Sequence, residues 1–263
     1  MTSSIHRLFN LEGRTALVTG GSRGLGLQMA QALSEAGASL MLTSRKAADL
    51  EESAAQLRSS GIEVQWVAAD ARDPASVTHV VNETMRHFGK IDILINNAGA
   101  SWGAPAEDHP LEAWDNVMSL NARSLFLFSQ GAARASMIQR RSGRIINIAS
   151  IAGLGGNSPE MKTIAYNTSK GAAVNFSRAL AAEWGAYGIT VNAIAPGFFP
   201  SKMSQGLLDT LGSDNVARRS PLRRLGDEDD LKGAVLLFAS DAGKHITGQV
   251  LAVDGGATCV VAA

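Results

Sequence analysis

Seven short apolar runs punctuate the chain, with almost none of the polar–apolar alternation of a strand with one wet face. They are "TALVTG" (15–20), "SLMLTS" (39–44), "EVQWVAAD" (63–70), "IDILINNAG" (91–99), "GRIINIAS" (143–150), "ITVNAIAPG" (189–197) and "QVLAVDGG" (249–256). Runs of this kind are buried on both faces, the condition of a parallel sheet covered by helices on either side. Ala-, Leu- and Glu-rich stretches with helical spacing lie between them, at 25–36, 47–59, 74–88, 111–139, 165–185 and 228–240. Strand–helix alternation along the whole length predicts one doubly wound α/β domain, residues 1–263, built on a seven-stranded parallel sheet. No linker, repeat or low-complexity tract interrupts it.

Charge and composition narrow the partners. Lys+Arg and Asp+Glu both number 24, so no net field favours nucleic acid or an anionic membrane. "MTSSIHRLFNLEGR" lacks the apolar core of a secretory signal, and no run reaches the roughly eighteen apolar residues of a membrane span. The one cysteine, Cys259, has no partner for an internal disulfide. The expectation is a cytoplasmic protein without a nucleic-acid or membrane partner. Asp227, Glu228, Asp229 and Asp230 stand at the predicted start of a helix, where acids serve the exposed N–H groups and the dipole, so no metal site is assigned to them. One cysteine and five scattered histidines also argue against a zinc-dependent dehydrogenase.

The first strand runs into the first helix through "LVTGGSRGLGLQMAQAL". Glycine lets backbone N–H groups approach a pyrophosphate closely, and the following helix N-terminus adds favourable electrostatics. Gly20, Ser22, Arg23, Gly24, Leu25 and Gly26 are therefore candidate cofactor contacts. At the end of the second strand an acidic residue would accept hydrogen bonds from an adenosine 2′-OH and repel a 2′-phosphate. Ser44 fills that place, followed by Arg45 and Lys46, with Arg23 adding charge on the same side.

The spacing Thr19-Gly20-x-x-x-Gly24-x-Gly26 resembles the turn of the short-chain dehydrogenases/reductases. The resemblance continues through "NNAG" (96–99), Asn121, Ser150, Tyr166-x-x-x-Lys170, "PG" (196–197) and "ITGQVLAVDGG", covering nearly the entire chain. It implies a Rossmann fold, an oxidoreductase interconverting a ketone and a secondary alcohol, and, from Ser44, Arg45 and Lys46, NADP(H) as the cofactor. By the same resemblance Asp70 lies near the adenine ring, with Ala71 beside it, and Asn96 braces the central strands. Asn97, Ala98, Gly99, Pro196, Gly197, Phe199 and Ser201 join Tyr166 and Lys170 along the cofactor, and Ile194 lines the same wall.

Tyr166 and Lys170 are four residues apart, so they share one helix face. A nearby cation favours a phenolate and lowers the phenol pKa from its ordinary ~10. Ser150, at a strand's carboxyl end, can donate to a carbonyl oxygen. The resemblance makes Tyr166 the general acid/base. It has Lys170 lower that pKa and hold the nicotinamide ribose, Ser150 orient the substrate, and Asn121 keep a water in the proton relay. The interval from Ser150 to Tyr166 is 16 residues, longer than the family spacing. "GNSPEMKT" (156–163) carries the excess as a loop over the site, with Met161 shaping the substrate pocket. Ser158 is an alternative hydroxyl, set aside because an irregular loop positions it poorly.

Residues 197–226 mix Gly, Pro, Phe and Met without clean periodicity and read as a mobile substrate lid. Phe198, Phe199 and Met203 are candidates for apolar contact or for packing beneath it. Arg218, Arg219, Arg223 and Arg224 form a basic cluster suited to a carboxylate, to phosphates, or simply to solvent. The segments around "NNAGASWGAPAEDHP" and "APGFFPSKM" resemble β-ketoacyl reductases of the rhamnolipid type, which implies a 3-oxoacyl thioester. "GLGGNSPEMKTIAYNTSKGA" is similar to gluconate 5-dehydrogenases, which implies a keto sugar acid. A cofactor-binding sensor without turnover is the reading from outside enzymology. The Ala- and Gly-rich helix from Tyr166, apolar on more than one face, predicts contact beyond its own sheet, and the family resemblance implies a homotetramer.

Overall fold

The computed structural model describes residues 4–59 and 61–260. Seven strands form one sheet: β1 Thr15–Thr19, β2 Ser39–Ser44, β3 Val64–Ala68, β4 Ile93–Asn96, β5 Gly143–Ile148, β6 Ile189–Pro196 and β7 Val250–Val253. All neighbours are parallel, in the order β3-β2-β1-β4-β5-β6-β7. The order reverses between β1 and β4, which opens a crevice at their carboxyl ends, the place where doubly wound sheets bind ligands.

The helices are α1 Ser4–Phe9, α2 Gly24–Glu35, α3 Ala47–Arg58, α4 Pro74–Phe88, α5 Leu111–Met118, α6 Ser124–Ala132, α7 Ile138–Arg140, α8 Ile164–Trp184, α9 Gln205–Leu211, α10 Ser213–Ala217 and α11 Lys232–Ala239. Helix α4 shows how sequence sets the bounds. Asp73 accepts hydrogen bonds from the N–H groups of Ala75 and Ser76, Pro74 follows it, and Gly89 at φ 72° ends the helix left-handed.

Side chains leave the strands on alternate faces and build two cores. From β1, Ala16 and Val18 join Met29 and Leu33 of α2, Leu50 of α3 and Phe238 of α11. Leu17 points the other way, to Val77 and Val80 of α4, Phe128 of α6 and Leu180 of α8. The five central strands are thus covered on both faces, while the edge strands β3 and β7 remain partly exposed. Among the described residues no helix is long and apolar enough to cross a membrane.

Three regions differ from the sequence reading. The predicted helix 111–139 is present, but two π-helical turns, Ser119–Arg123 and Ala133–Met137, interrupt it. Helix α11 starts at Lys232, and its preceding acids do not cap it. Asp230 instead takes both guanidinium nitrogens of Arg224, and Asp229 pairs with Lys232 at 2.9 Å. The segment read as aperiodic contains α9 and α10, separated by Gly212 at φ 77°.

Candidate active site

The carboxyl ends of β5 and β6, the start of α8 and the segment after β6 enclose a cavity of about 250 Å³. Ser150, Tyr166 and Lys170 all line it, so the fold brings together three side chains that the sequence placed in two different elements. Ser150 lies just beyond β5 in extended backbone and is 8% exposed. Its Oγ accepts the N–H of Ala152 at 3.2 Å, which leaves the hydroxyl proton free to point into the cavity.

Lys170 is 5% exposed, and its Nζ donates to the Ile148 carbonyl at 2.6 Å, tying α8 to the end of β5. The same Nζ lies 5.6 Å from the centre of the Tyr166 ring. No carboxylate pairs with it among the described residues, and burial pulls its pKa down to about 8. The phenol does not follow the expectation of a lowered pKa. Burial pushes Tyr166 up, and the Ser150 side chain offsets only part of that rise. Desolvation acts on both members of the pair, and sequence spacing carries no information about it.

Asn121 sits in the first π-helical turn and is 3% exposed. Its Oδ1 accepts from Ala100 N, and its Nδ2 donates to Ala100 O and to Ser169 Oγ, each at 2.9 Å. Both amide protons are therefore occupied in fastening the loop after β4 to α8. The sequence reading overlooked two residues of this frame. Ser169 is one. Gly153 is the other: a Cβ there would stand 2.5 Å from the carbonyl carbon of Lys170, so only glycine lets the Ser150 loop press against α8. Glycine frequency alone does not single out Gly153 within "SIAGLGG", because the constraint comes from a helix that starts beyond it.

The glycine turn has the shape that a dinucleotide requires. Gly20 and Gly24 have φ of 65° and 53°. A Cβ on Gly26 would lie 2.2 Å from the Gly20 carbonyl oxygen, whereas one on Gly24 would meet nothing within 4 Å. One glycine closes the turn on itself while another leaves an open face at the start of α2. Arg23, at the N-cap of α2, provides no side-chain cap, so the first-turn N–H groups face that opening. Asn97 fixes the turn from behind, with Nδ2 donating to the carbonyls of Thr19 and Gly20. At the end of β2 the Ser44 Oγ is buried without a hydrogen-bond partner. Arg45 and Lys46 beside it are exposed and form no ion pair among the described residues. An orphaned hydroxyl, two unpaired cations and an open glycine cradle fit a phosphorylated nucleotide.

Other expected contacts divide. Leu25, Asn97, Gly99, Pro196, Gly197 and Ser201 line the cavity. Ala71 and Ala98 put their side chains into the second core, so only their backbone can face a ligand. Asp70 is gripped by Arg72, which holds its carboxyl below the usual range, with Arg45 adding a smaller pull. Phe199 borders the cavity but is 5% exposed and belongs to the first core. Its ring fills the space where Gly226 would carry a Cβ, 2.4 Å away. Asn96 braces the sheet as expected, bridging Ser129 and Asn147. Ser158 does not line the main cavity, while Met161, Phe198 and Met203 do. None of the four arginines at 218, 219, 223 and 224 lines it.

A family model described as enoyl-(acyl carrier protein) reductase matches residues 20–258. The chain is 38% identical to a gluconate 5-dehydrogenase of Gluconobacter oxydans over 95% of its length and 97% of that protein. It is 37% identical to a rhamnolipids biosynthesis 3-oxoacyl-[acyl-carrier-protein] reductase of Pseudomonas aeruginosa, over 96% and 99% of the two chains. The crystal structure of a gluconate 5-dehydrogenase from Burkholderia cenocepacia, in complex with NADP and tartrate, is similar with a TM-score of 0.92 and 35% identity. That match covers 98% of this chain and 100% of the other.

Proposed function

The chain belongs to the short-chain dehydrogenase/reductase family, oxidoreductases acting on CH–OH groups, and from that premise we propose that it reduces a 3-oxoacyl thioester with NADPH. The nucleotide, when bound, supplies the hydride. The Ser150 hydroxyl donates to the ketone oxygen and fixes it beside the Tyr166 phenol. Tyr166 passes its proton to that oxygen as negative charge develops on it, and the product is the 3-hydroxyacyl thioester. Tyr166 is protonated at neutral pH, and because burial raises its pKa it needs a cation beside the phenolate to donate readily. Lys170, charged below about pH 8, stabilises the phenolate left behind. Asn121 acts by position, holding the loop after β4 against α8.

One observation supports the thioester over a sugar acid. The lining includes Ile151, Met161, Phe198, Met203 and Leu207 alongside the neutral polar Ser101, Asn157, Thr163, Ser201 and Ser204, and Lys170 is the one cation among the lining residues. A carboxylate brought into such a lining would lose its hydration and find no arginine to pair with, Lys170 being already bonded to the Ile148 carbonyl. Arg224, which lines a separate cavity beyond Phe198 and Phe199, is already paired with Asp230. The similarity to gluconate 5-dehydrogenases supports the second reading, a keto sugar acid. Assembly through α6 and α8 is supported by Phe126, 45% exposed and edge-on to Phe176.

The deciding experiment is a side-by-side measurement of NADPH oxidation with acetoacetyl-CoA and with 5-keto-gluconate. The expected result is a larger kcat/KM for the thioester. A larger kcat/KM for the sugar acid overturns the substrate assignment and leaves the reaction class standing.

A further inference from the structure

A second cavity, of about 390 Å³, lies behind the 154–163 loop. Its far wall is the segment Ala104–Glu107, and its near wall is the loop itself. Asn157, Met161 and Thr163 line both this cavity and the one holding Ser150 and Tyr166. The residues that lengthen the interval between the catalytic hydroxyls therefore form a partition between two compartments.

The partition has a fixed backbone. Met161 N donates to Ser158 O at 2.9 Å, Thr163 N donates to Met161 O at 3.0 Å, and Ala104 N donates to Lys162 O at 2.9 Å. The polar side chains beside it satisfy one another. Asn157 Nδ2 donates to Thr163 Oγ1 and to Asn167 Oδ1, and Asn167 Nδ2 donates to the Ala152 carbonyl. Asn167 follows Tyr166 directly, so the same network that pins the loop is anchored at the phenol. Ser158 Oγ keeps no hydrogen-bond partner and lines the second cavity together with Lys162, whereas Met161 is the one large apolar side chain common to both linings. Methionine is unbranched, with three rotatable bonds, and changes shape at small cost.

We propose that Met161 is the residue that sets acyl chain length, an inference that rests on the thioester reading above. A short 3-oxoacyl chain fits beside Met161 in the first cavity. The alkyl tail of a longer one swings the Met161 side chain aside and enters the second cavity, between Pro105 and Ile164.

The test compares wild type, Met161→Ala and Met161→Phe on two substrate series with NADPH: 3-oxoacyl N-acetylcysteamine thioesters and 2-alkanones, each from short to long chains. Each methylene taken out of water is worth about fourfold in kcat/KM, so two further buried methylenes give roughly tenfold or more. Met161→Ala is expected to raise the ratio of long-chain to short-chain kcat/KM by that amount, and Met161→Phe to lower it by a similar factor. NADPH affinity and circular dichroism confirm that each variant is folded. Turnover of thioesters with a length profile that ignores residue 161 overturns the partition alone. No turnover of thioesters, with 2-alkanones whose profile follows residue 161, overturns the thioester reading and supports the partition.

Discussion

At the amino-terminal edge of the sheet Asp92 is 3% exposed, and Arg14, Lys90 and Arg140 all approach its carboxylate within 3.7 Å. The N–H of Thr15 donates to the same group at 2.9 Å. At the carboxyl-terminal edge Lys170 is 5% exposed, has one carbonyl for a partner, and is pulled down to about 8. A buried charge that only has to hold a structure together is surrounded until its desolvation is offset. One that has to respond to a reacting group is left short of partners, so that its protonation answers to what arrives. Within one sheet, the number of partners around a buried charge separates framework from chemistry.

The most severe way to test this contrast is to remove the proton that the carboxyl-terminal edge controls. Tyr166→Phe deletes one oxygen and leaves the ring beside Lys170. Turnover should fall about 10³-fold, within the range for losing a general acid, while NADPH still binds, as followed by fluorescence titration. Comparable loss of turnover from Asp92→Asn, with the protein still folded, would erase the distinction between the two edges.

Stability should then move in opposite directions at the two edges. Asp92→Asn loses a charge on which three cations converge and should cost about 2 kcal/mol, read as a lower Tm. Lys170 has a folded pKa near 8 against 10.5 for the free group. Below pH 8 both states carry the proton, and the folded state bears the full cost of a buried ammonium. Between 8 and 10.5 the unfolded chain binds more protons than the native one, so wild-type stability rises with pH across that window. Lys170→Met should therefore be more stable than wild type at pH 7, by up to ~3 kcal/mol, with the advantage shrinking as pH climbs past 8. Thermal unfolding at pH 7 and at pH 10 checks both the sign and the trend. A Lys170→Met protein that is less stable at pH 7 would mean that the ammonium is better satisfied than its single carbonyl suggests.

The sequence revealed the frame more readily than the energetics of the site. All seven strands stand where the apolar runs placed them, and for the five central strands the reason is burial on both faces, which leaves a local signature. The Tyr166–Lys170 pair and Ser150 were legible through spacing and through their place at the end of a strand. The direction of the phenol pKa was not, since desolvation depends on what the lid and β6 place around the ring. Gly153 and Gly226 were invisible for a related reason: each accommodates a partner, the α8 backbone or the Phe199 ring, that is distant in sequence. The acids at 227–230 misled because helix-start chemistry is a local rule, and Arg224 and Lys232 compete for the same carboxylates. Helices α9 and α10 escaped because each spans no more than two turns, too few for a periodic apolar stripe.

The same contrast extends to exposed cations and gives the last of the expected effects. At the amino-terminal edge Arg14 and Arg140 are both paired with Asp92. At the carboxyl end of β2 neither Arg45 nor Lys46 forms an ion pair among the described residues, although Lys46 stands at the positive end of α3, where a cation is disfavoured. A 2′-phosphate held against Ser44 and Arg45, as proposed for NADPH, would relieve that imbalance. Ser44→Asp combined with Arg45→Ala replaces a donor by a repelling carboxylate and removes a charge-assisted bond. The change is worth ~2–3 kcal/mol, or about 100-fold in the NADPH-to-NADH ratio of kcat/KM. Arg23 serves as the internal control. Its guanidinium already faces Asp49 at 3.5 Å, so Arg23→Ala should shift the ratio less than Arg45→Ala does. A larger effect from Arg23 would mean that pairing within the chain does not predict which cations a ligand recruits, and the rule drawn from Asp92 and Lys170 would not extend to the surface.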